Sequence, residues 1–476
     1  MIKQFIKSAF YVSILFQLFP ISYASYTAHT AQVIHGTSPS LSPLIEEHID
    51  DLNLFGLKSG DEEYFGDEEI KNISLSGYSP LKSQLSSILK QPNSDEFFDP
   101  DGDEFKILNL RNQHKVSITW YYTNINNELV EFTLNNEDTF CSLSTRGMYA
   151  PFKVKLSANL DLYSKYGVPN NKTYPNEENS TLPAKMYTIL GPNDAFICFA
   201  RPTLNPSSVS GSEKNQWNPE YGFLTQSISN PSENFPTTGF YGAKFDLLLS
   251  DKRMVSNYTW AIKQGSDLVT LTNHPNFITI TFNTADAKDP GKAWQHVMGS
   301  DAGYTVIIEG RHKTTNKTIQ YAFTITKWFD TWKQDTNEAG GLIALIAPLE
   351  EVVAACNAKS GHYHVSHSNE ISNAPFDSGT GYTRYTREIG SLFSEWSDVV
   401  QSAYPGSFGP DLEKQKGVAM RRYYVWDINE KKYCDVHAHN SKYHCRSEHE
   451  EKNAVCASTP KQKNISYVLI RRPRMN

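Results

Sequence analysis

The chain has 476 residues, 20% charged and 39% hydrophobic, the composition of a globular protein with about two to four domains. A formal net charge of -7 argues against a broad nucleic-acid footprint. Aromatic residues reach 12%, with 26 tyrosines, so large planar side chains are plentiful for cores and contact surfaces.

Residues 1–24 read as a secretory signal. Lys3 and Lys7 supply the positive end, Ala9 to Ile21 is mostly apolar, and Ser22-Tyr23-Ala24 is a small-x-small cleavage site. The apolar run is short for a bilayer span, and no later run of eighteen apolar residues follows. The expected product is exported, either released or held at a surface by a separate anchor. Residues 25–95 form an acidic, partly ordered leader, with clusters at Glu46-Glu47, Asp50-Asp51, Asp61 to Glu63 and Asp67 to Glu69.

Residues 96–205 read as a β-sandwich. FKILNL, KVSITWYY, LVEFTL, FKVKLSANLDL, MYTIL and AFICFA are strand-length runs separated by Asn, Pro, Gly and Asp. Cys141 and Cys198 lie in or beside these strands, and an exported chain with six cysteines favours disulfides, so this pair is expected to bridge. Asp99, Asp101 and Asp103 imitate a calcium loop, but Glu104 stands where an EF-hand needs glycine, so an acidic turn is expected. Residues 206–330 form a second β unit, with Trp260 placed like an inter-sheet core tryptophan.

Residues 331–476 change character. GGLIALIAPLEEVVAAC gives a helical pattern in which Leu349, Val352, Val353 and Cys356 share one side. An irregular HYHVSHSNEISNA follows, then GSLFSEW, where Leu392, Phe393 and Trp396 share one face of a short helix. Strands near MRRYYVWDI, KYCDVH and AVCAS close an α+β unit.

Residues 210–476 resemble the adhesive tip of the intimin/invasin group of bacterial surface adhesins. FPTTGFYGAKFDLLL, YTW at Tyr258 to Trp260 and YAFTITKWF match the phrases of that group's Ig-like unit. EEVVAAC, GHYHVSHSNEISN, GSLFSEW, YYVW and AVC fall in the order of its C-type-lectin-like unit. Added to the sandwich read at 96–205, the resemblance completes a mostly β protein: two β-sandwich (Ig-like) domains, the second at 206–330, then an α+β C-type-lectin-like domain at 331–476. It implies that Cys356 pairs with Cys456, leaving Cys434 with Cys445, a pair additional to the family pattern. It makes GSLFSEW a scaffold helix packed under long binding loops. It also implies recognition of a protein or glycan on a host or other cell. The outer-membrane barrel usual in the group is not visible in this sequence.

The expected receptor contacts are Arg421, Arg422, Tyr424 and Trp426, with Arg384 and Tyr385 secondary; these are residue types enriched in interface hot spots. Strand alternation sets Tyr423 and Val425 opposite Tyr424 and Trp426 without saying which pair faces out. The calcium-lectin signatures Glu-Pro-Asn and Trp-Asn-Asp are missing from this unit, so binding is expected without calcium. GxSxG, HExxH and P-loop motifs are also missing, so no enzyme and no cofactor are expected. Histidines cluster at His362, His364 and His367, and again at His437, His439, His444 and His449. The alternative reading is a soluble secreted protein that binds metal or responds to pH through these clusters, with His437, His439 and His444 as the metal set.

Overall fold

A computed structural model describes residues 36–41, 54–65, 72–91, 97–98, 102, 105–107, 116–158, 160–174, 184–191, 195–202, 204, 216–333, 335–336, 342–343, 346–375, 385–397, 422–437, 443–445 and 451–460. The signal segment, the acidic clusters other than Asp61 to Glu63, the three aspartates of the acidic turn, Arg384 and Arg421 lie outside them. Among the described residues the chain is mostly strand, and no helix is long and apolar enough to cross a membrane.

The chain forms two compact units. The smaller holds two antiparallel sheets among the described residues: Ser40–Leu41 with Phe97–Phe98, and Leu160–Ser164 between Asn171–Tyr174 and Phe105–Ile107. The larger unit contains everything that follows. Its first sheet runs Asn72–Ser74, Ala184–Leu190, Phe152–Ser157, Ser117–Thr123, Leu129–Phe132. The span 96–205, expected as one sandwich, is therefore shared between the two units. Part of the leader is built into the larger one, where Asn72–Ser74 pairs in parallel with Ala184–Leu190. Strand-length runs reveal where strands form; partners distant in sequence decide which sheet takes them.

Residues 197–325 make the two-sheet sandwich expected near 206–330. One sheet runs Trp217–Asn218, Gly222–Leu224, Ile197–Arg201, Lys244–Leu249, Ile278–Thr281, Thr270–Asn273. The other runs Tyr258–Gln264, Tyr304–His312, Thr318–Ile325. Alternation in Lys244–Leu249 buries Phe245, Leu247 and Leu249, and Phe245 meets Phe323 of the opposite sheet at 5.5 Å between ring centroids. Trp260 is buried, its indole N–H donating to the Val255 carbonyl at 3.3 Å. Sequence reading missed the helix Pro290–Met298, whose start is marked by Asp289 accepting from the amides of Gly291 and Lys292, with Pro290 following it.

The α+β unit is fused to this sandwich by one sheet. Its order is Thr238–Phe240, Lys327–Thr331, Asn453–Ser458, Arg422–Asp427, Lys432–His437, Tyr443–His444, with Tyr363–Val365 also paired to Asn453–Ser458. The first of these strands lies within the sandwich part of the chain and the second directly follows its last strand, Thr318–Ile325. The helix Leu349–Asn357 buries Val352 and Cys356, and a disulfide ties Cys356 to Cys456 in the Asn453–Ser458 strand. Two further disulfides join Cys141 to Cys198 and Cys434 to Cys445.

GSLFSEW forms the helix Leu392–Trp396, and every one of its five residues is buried. Its apolar face does not stop at the lectin-like unit. Phe393 meets Tyr423 at 5.7 Å, while the Trp396 ring lies among Phe235 at 4.9 Å, Phe240 at 5.4 Å and Phe245 at 6.3 Å, all of the sandwich part. The indole N–H of Trp396 donates to Thr238, at 3.0 Å to the hydroxyl and 3.2 Å to the carbonyl.

Glu395 is completely buried on the same turn. One carboxylate oxygen accepts from the Thr237 amide at 2.9 Å, the Thr237 hydroxyl at 2.6 Å and the Gly390 amide at 3.0 Å. The other accepts from the Thr238 amide at 2.9 Å and from the Thr238 hydroxyl. Burial holds the carboxyl above the ordinary carboxylate range, with the Thr237 and Thr238 donors pulling against that rise. Gly390 has φ 134°, a left-handed-side conformation that other residues rarely adopt, and this turn aims its amide at the carboxylate. Gly239 admits the Trp328 ring, whose carbons would lie 2.7 Å from an added Cβ. Arg387, also buried, donates to the Glu395 carbonyl at 2.8 Å and stacks 3.9 Å above the Trp217 ring.

Two outcomes follow from this junction. Glu395→Gln faces an amide group toward backbone and hydroxyl donors and is expected to cost about 1–3 kcal/mol, with Glu395→Ala costing more because it strands several buried donors together. Denaturant midpoints of the oxidised chain read this directly; an unchanged midpoint in both variants would remove the carboxylate from its structural role. Removing the Cys356–Cys456 bridge, which spans 100 residues, should lower stability by about 4–5 kcal/mol on the loop-entropy account. Comparable melting of the double Cys→Ser variant and the parent would contradict that.

A hairpin tip beside a histidine cluster

The strands Arg422–Asp427 and Lys432–His437 form an antiparallel hairpin with Tyr424 opposite Asp435 and Trp426 opposite Tyr433. Asp427 closes its turn, its buried carboxylate accepting from the amides of Asn429 at 2.8 Å and Glu430 at 2.7 Å. Lys431 takes the left-handed conformation at φ 51°. At this end Trp426 and Tyr433 are half-buried and meet edge to face at 5.0 Å, and Ile428 is 49% exposed. Together they present an aromatic and aliphatic tip on a hydrogen-bonded frame. Tyr433 and Ile428 were not singled out from sequence; turn prediction after YYVWDI places Ile428 at a tip, but Tyr433 needs the strand register.

Alternation does not divide the first strand into an inner and an outer face. Tyr423, Tyr424, Val425 and Asp427 are all buried, because this strand is central in its sheet and covered on both sides. Tyr424, expected as a receptor contact, is 2% exposed, with the Lys452 ammonium 5.0 Å from its ring. Tyr385, the secondary candidate, is fully buried and shares a 2.9 Å hydrogen bond with the Ser397 hydroxyl. Both are core residues in this structure and offer no contact surface. Arg422 is mostly covered, its Nε 3.8 Å from the buried Asp435 carboxylate. Of the expected contacts that are described, only Trp426 stands at the tip. The binding loops are expected between about 402 and 450, and of that span residues 402–421, 438–442 and 446–450 fall outside the described residues.

The segment carrying His364 and His367 packs against the same hairpin. The Trp426 amide donates to the Ser366 carbonyl at 3.0 Å, and His367 bridges to Trp426 in parallel. His364 lies in the strand Tyr363–Val365, and His367 caps the short helix Ser368–Ile371 that contains Glu370. The Glu370 carboxylate accepts from the His367 amide at 2.8 Å, the pattern of a capping box. The same oxygen lies 2.8 Å from His364 Nε2 and 3.8 Å from His367 Nδ1. Burial pushes the Glu370 carboxyl up, but the His364 contact and the His367 amide outweigh it and hold the group below its ordinary value. Burial lowers His367, with Glu370 opposing and His364 adding to the fall. His362 belongs elsewhere, its ring 4.8 Å from Trp294. The side chains of the metal set His437, His439 and His444 lie outside the described residues.

Comparisons with known proteins bear on the sandwich. Residues 225–323 match the family model described as invasin, domain 4. No curated protein matches the chain. Among solved structures, invasin, described as a bacterial integrin-binding protein, is similar at 12% identity and a TM-score of 0.35, covering 85% of this chain. The chain spans 58% of that invasin chain. An endo-fucoidan hydrolase of glycoside hydrolase family 107 is similar at 11% identity over 53% of this chain and 27% of its own, with a TM-score of 0.17. The extracellular cadherin domains of protocadherin gamma B7 are similar at 10% identity over 58% of this chain and 51% of their own, with a TM-score of 0.15. These TM-scores lie below that of a shared whole-chain fold. The likeness to the intimin/invasin group thus finds its family match over residues 225–323, which are similar to invasin, domain 4.

Proposed function

We propose that this chain is an exported, non-enzymatic bacterial adhesin that recognises a protein or glycan on another cell through residues 331–476, without calcium. The observation that carries this is the fusion of those residues to the domain that is similar to invasin, domain 4. The domain supplies Thr237 and Thr238 to the buried Glu395 and contributes the strand Thr238–Phe240 to the sheet that ends in the hairpin, where it pairs with Lys327–Thr331 just beyond the matched residues. A unit held in this way presents its tip in one orientation. The half-buried Trp426 and Tyr433 and the exposed Ile428 have the character of an interface centre. The six cysteines all being bridged supports an oxidising location. The alternative, a metal-binding or pH-responsive secreted protein, draws its support from the cluster at His364, His367 and Glu370 and is compatible with adhesion.

The decisive experiment applies the oxidised full-length mature chain to a panel of animal cells, in EDTA and again after calcium is restored. Saturable binding of equal strength in both conditions is expected. Binding that needs calcium, or none to any cell by a folded chain, would end this reading. Trp426→Ala should weaken binding by about tenfold or more while leaving the melting temperature within a few degrees of the parent. Tyr424→Ala should do the reverse of a contact residue and lower stability by about 3–5 kcal/mol as a core truncation. Normal binding by a folded Trp426→Ala chain would move the contact surface off the hairpin tip.

A further inference from the structure

We propose that His364, His367 and Glu370 form a binding site for one divalent transition cation of the zinc class. One ligand atom from each residue lies within 4.8 Å of the other two. Around a zinc ion with bonds of about 2.0–2.1 Å, tetrahedral ligand atoms sit about 3.3 Å apart. The Glu370 oxygen is 2.8 Å from His364 Nε2 and 3.8 Å from His367 Nδ1, so the three need only small side-chain adjustments to close on an ion. Two imidazoles and one carboxylate suit zinc, whereas calcium needs six to eight oxygen ligands.

The helix cap alone does not account for the arrangement. The capping box uses Glu370 with the His367 amide and the His367 side chain with the Glu370 amide, and leaves the His364 ring out. Yet both rings converge on the same carboxylate oxygen, with their centroids 4.3 Å apart. Two protonated rings at that distance would repel, which favours the neutral imidazoles that a cation needs. His364 Nδ1 is buried without a hydrogen-bond partner among the described residues, while Nε2 donates to the Glu370 carboxylate at 2.8 Å; a cation would replace that proton on Nε2, with the ring proton moving to Nδ1. The same missing support makes this site weaker than one whose histidines are held by outer partners, by about 10–100-fold. The His367 side chain is 33% exposed, which leaves solvent access for a water in the fourth position.

The test uses the full mature chain, oxidised, stripped with EDTA and dialysed into chelator-free buffer. Zinc chloride is titrated in by calorimetry, and bound metal is counted by elemental analysis. One zinc per chain is expected at this site, and His367→Gln and Glu370→Gln should each weaken it by at least about tenfold. Glu370→Gln keeps an acceptor for the His367 amide, so the cap survives; circular dichroism and the denaturant midpoint check this. Should that variant misfold, His367→Gln decides alone. The double variant His437→Gln with His444→Gln should leave the titration unchanged. Absence of zinc binding, binding insensitive to His367→Gln, or binding lost only in the His437/His444 variant would each overturn the proposal.

Discussion

The burial of the Glu395 carboxylate constrains the rest of the larger unit. Removing a carboxylate from water costs several kcal/mol unless donors are already in place to receive it. Here five donors converge, four from Thr237 and Thr238 and one from Gly390. Thr237 and Thr238 lead into the strand Thr238–Phe240, which is itself fixed in parallel to Lys327–Thr331. The helix Leu392–Trp396 cannot leave without stranding these donors, and the strand cannot shift without stranding the carboxylate. Trp396 adds an apolar anchor on the same turn. The position of the C-terminal unit is thus determined by polar satisfaction as well as by hydrophobic burial.

Part of this was legible in the sequence. The apolar spacing in GSLFSEW identified Leu392, Phe393 and Trp396 as one buried face, and all three are buried. Glu395 was not legible, because an acid on a short helix ordinarily marks the solvated side. Four of its five donors lie 157 or 158 residues away, and nothing local announces them. For the same reason the helix reads as local support under loops, while the structure makes it a junction. Tyr424 and Tyr385 illustrate a related limit. Aromatic and basic residue types suit interfaces, but they suit cores equally, and alternation separates the two only in a strand with one wet face. The strand Arg422–Asp427 has neighbours on both edges and cover on both faces, so the pattern gave no sign of which residue would emerge at its end.

What does emerge is limited to a small tip on a stiff frame. Cross-strand pairing sets Trp426 against Tyr433, the Cys434–Cys445 bridge closes the next strand, and Ser366 binds the first strand from its other edge. A contact surface of this kind loses little freedom on binding, and that loss is a main cost of association. Ordered strands under few exposed residues favour affinity through preorganisation over affinity through area.

The closeness of the histidine cluster to this tip invites a coupling argument, and the frame bounds it. A cation at His364, His367 and Glu370 would tie the strand Tyr363–Val365 to the turn that bridges Trp426. It could change receptor affinity only if the tip had two states that the cation distinguished. The tip is already held by the sheet, by the disulfide at Cys356 and, through the helix Leu392–Trp396, by the buried Glu395. Against such constraints the free energy of one cation goes mainly into stabilising the native state relative to the unfolded one. The geometry therefore favours a stabilising cation over a switch.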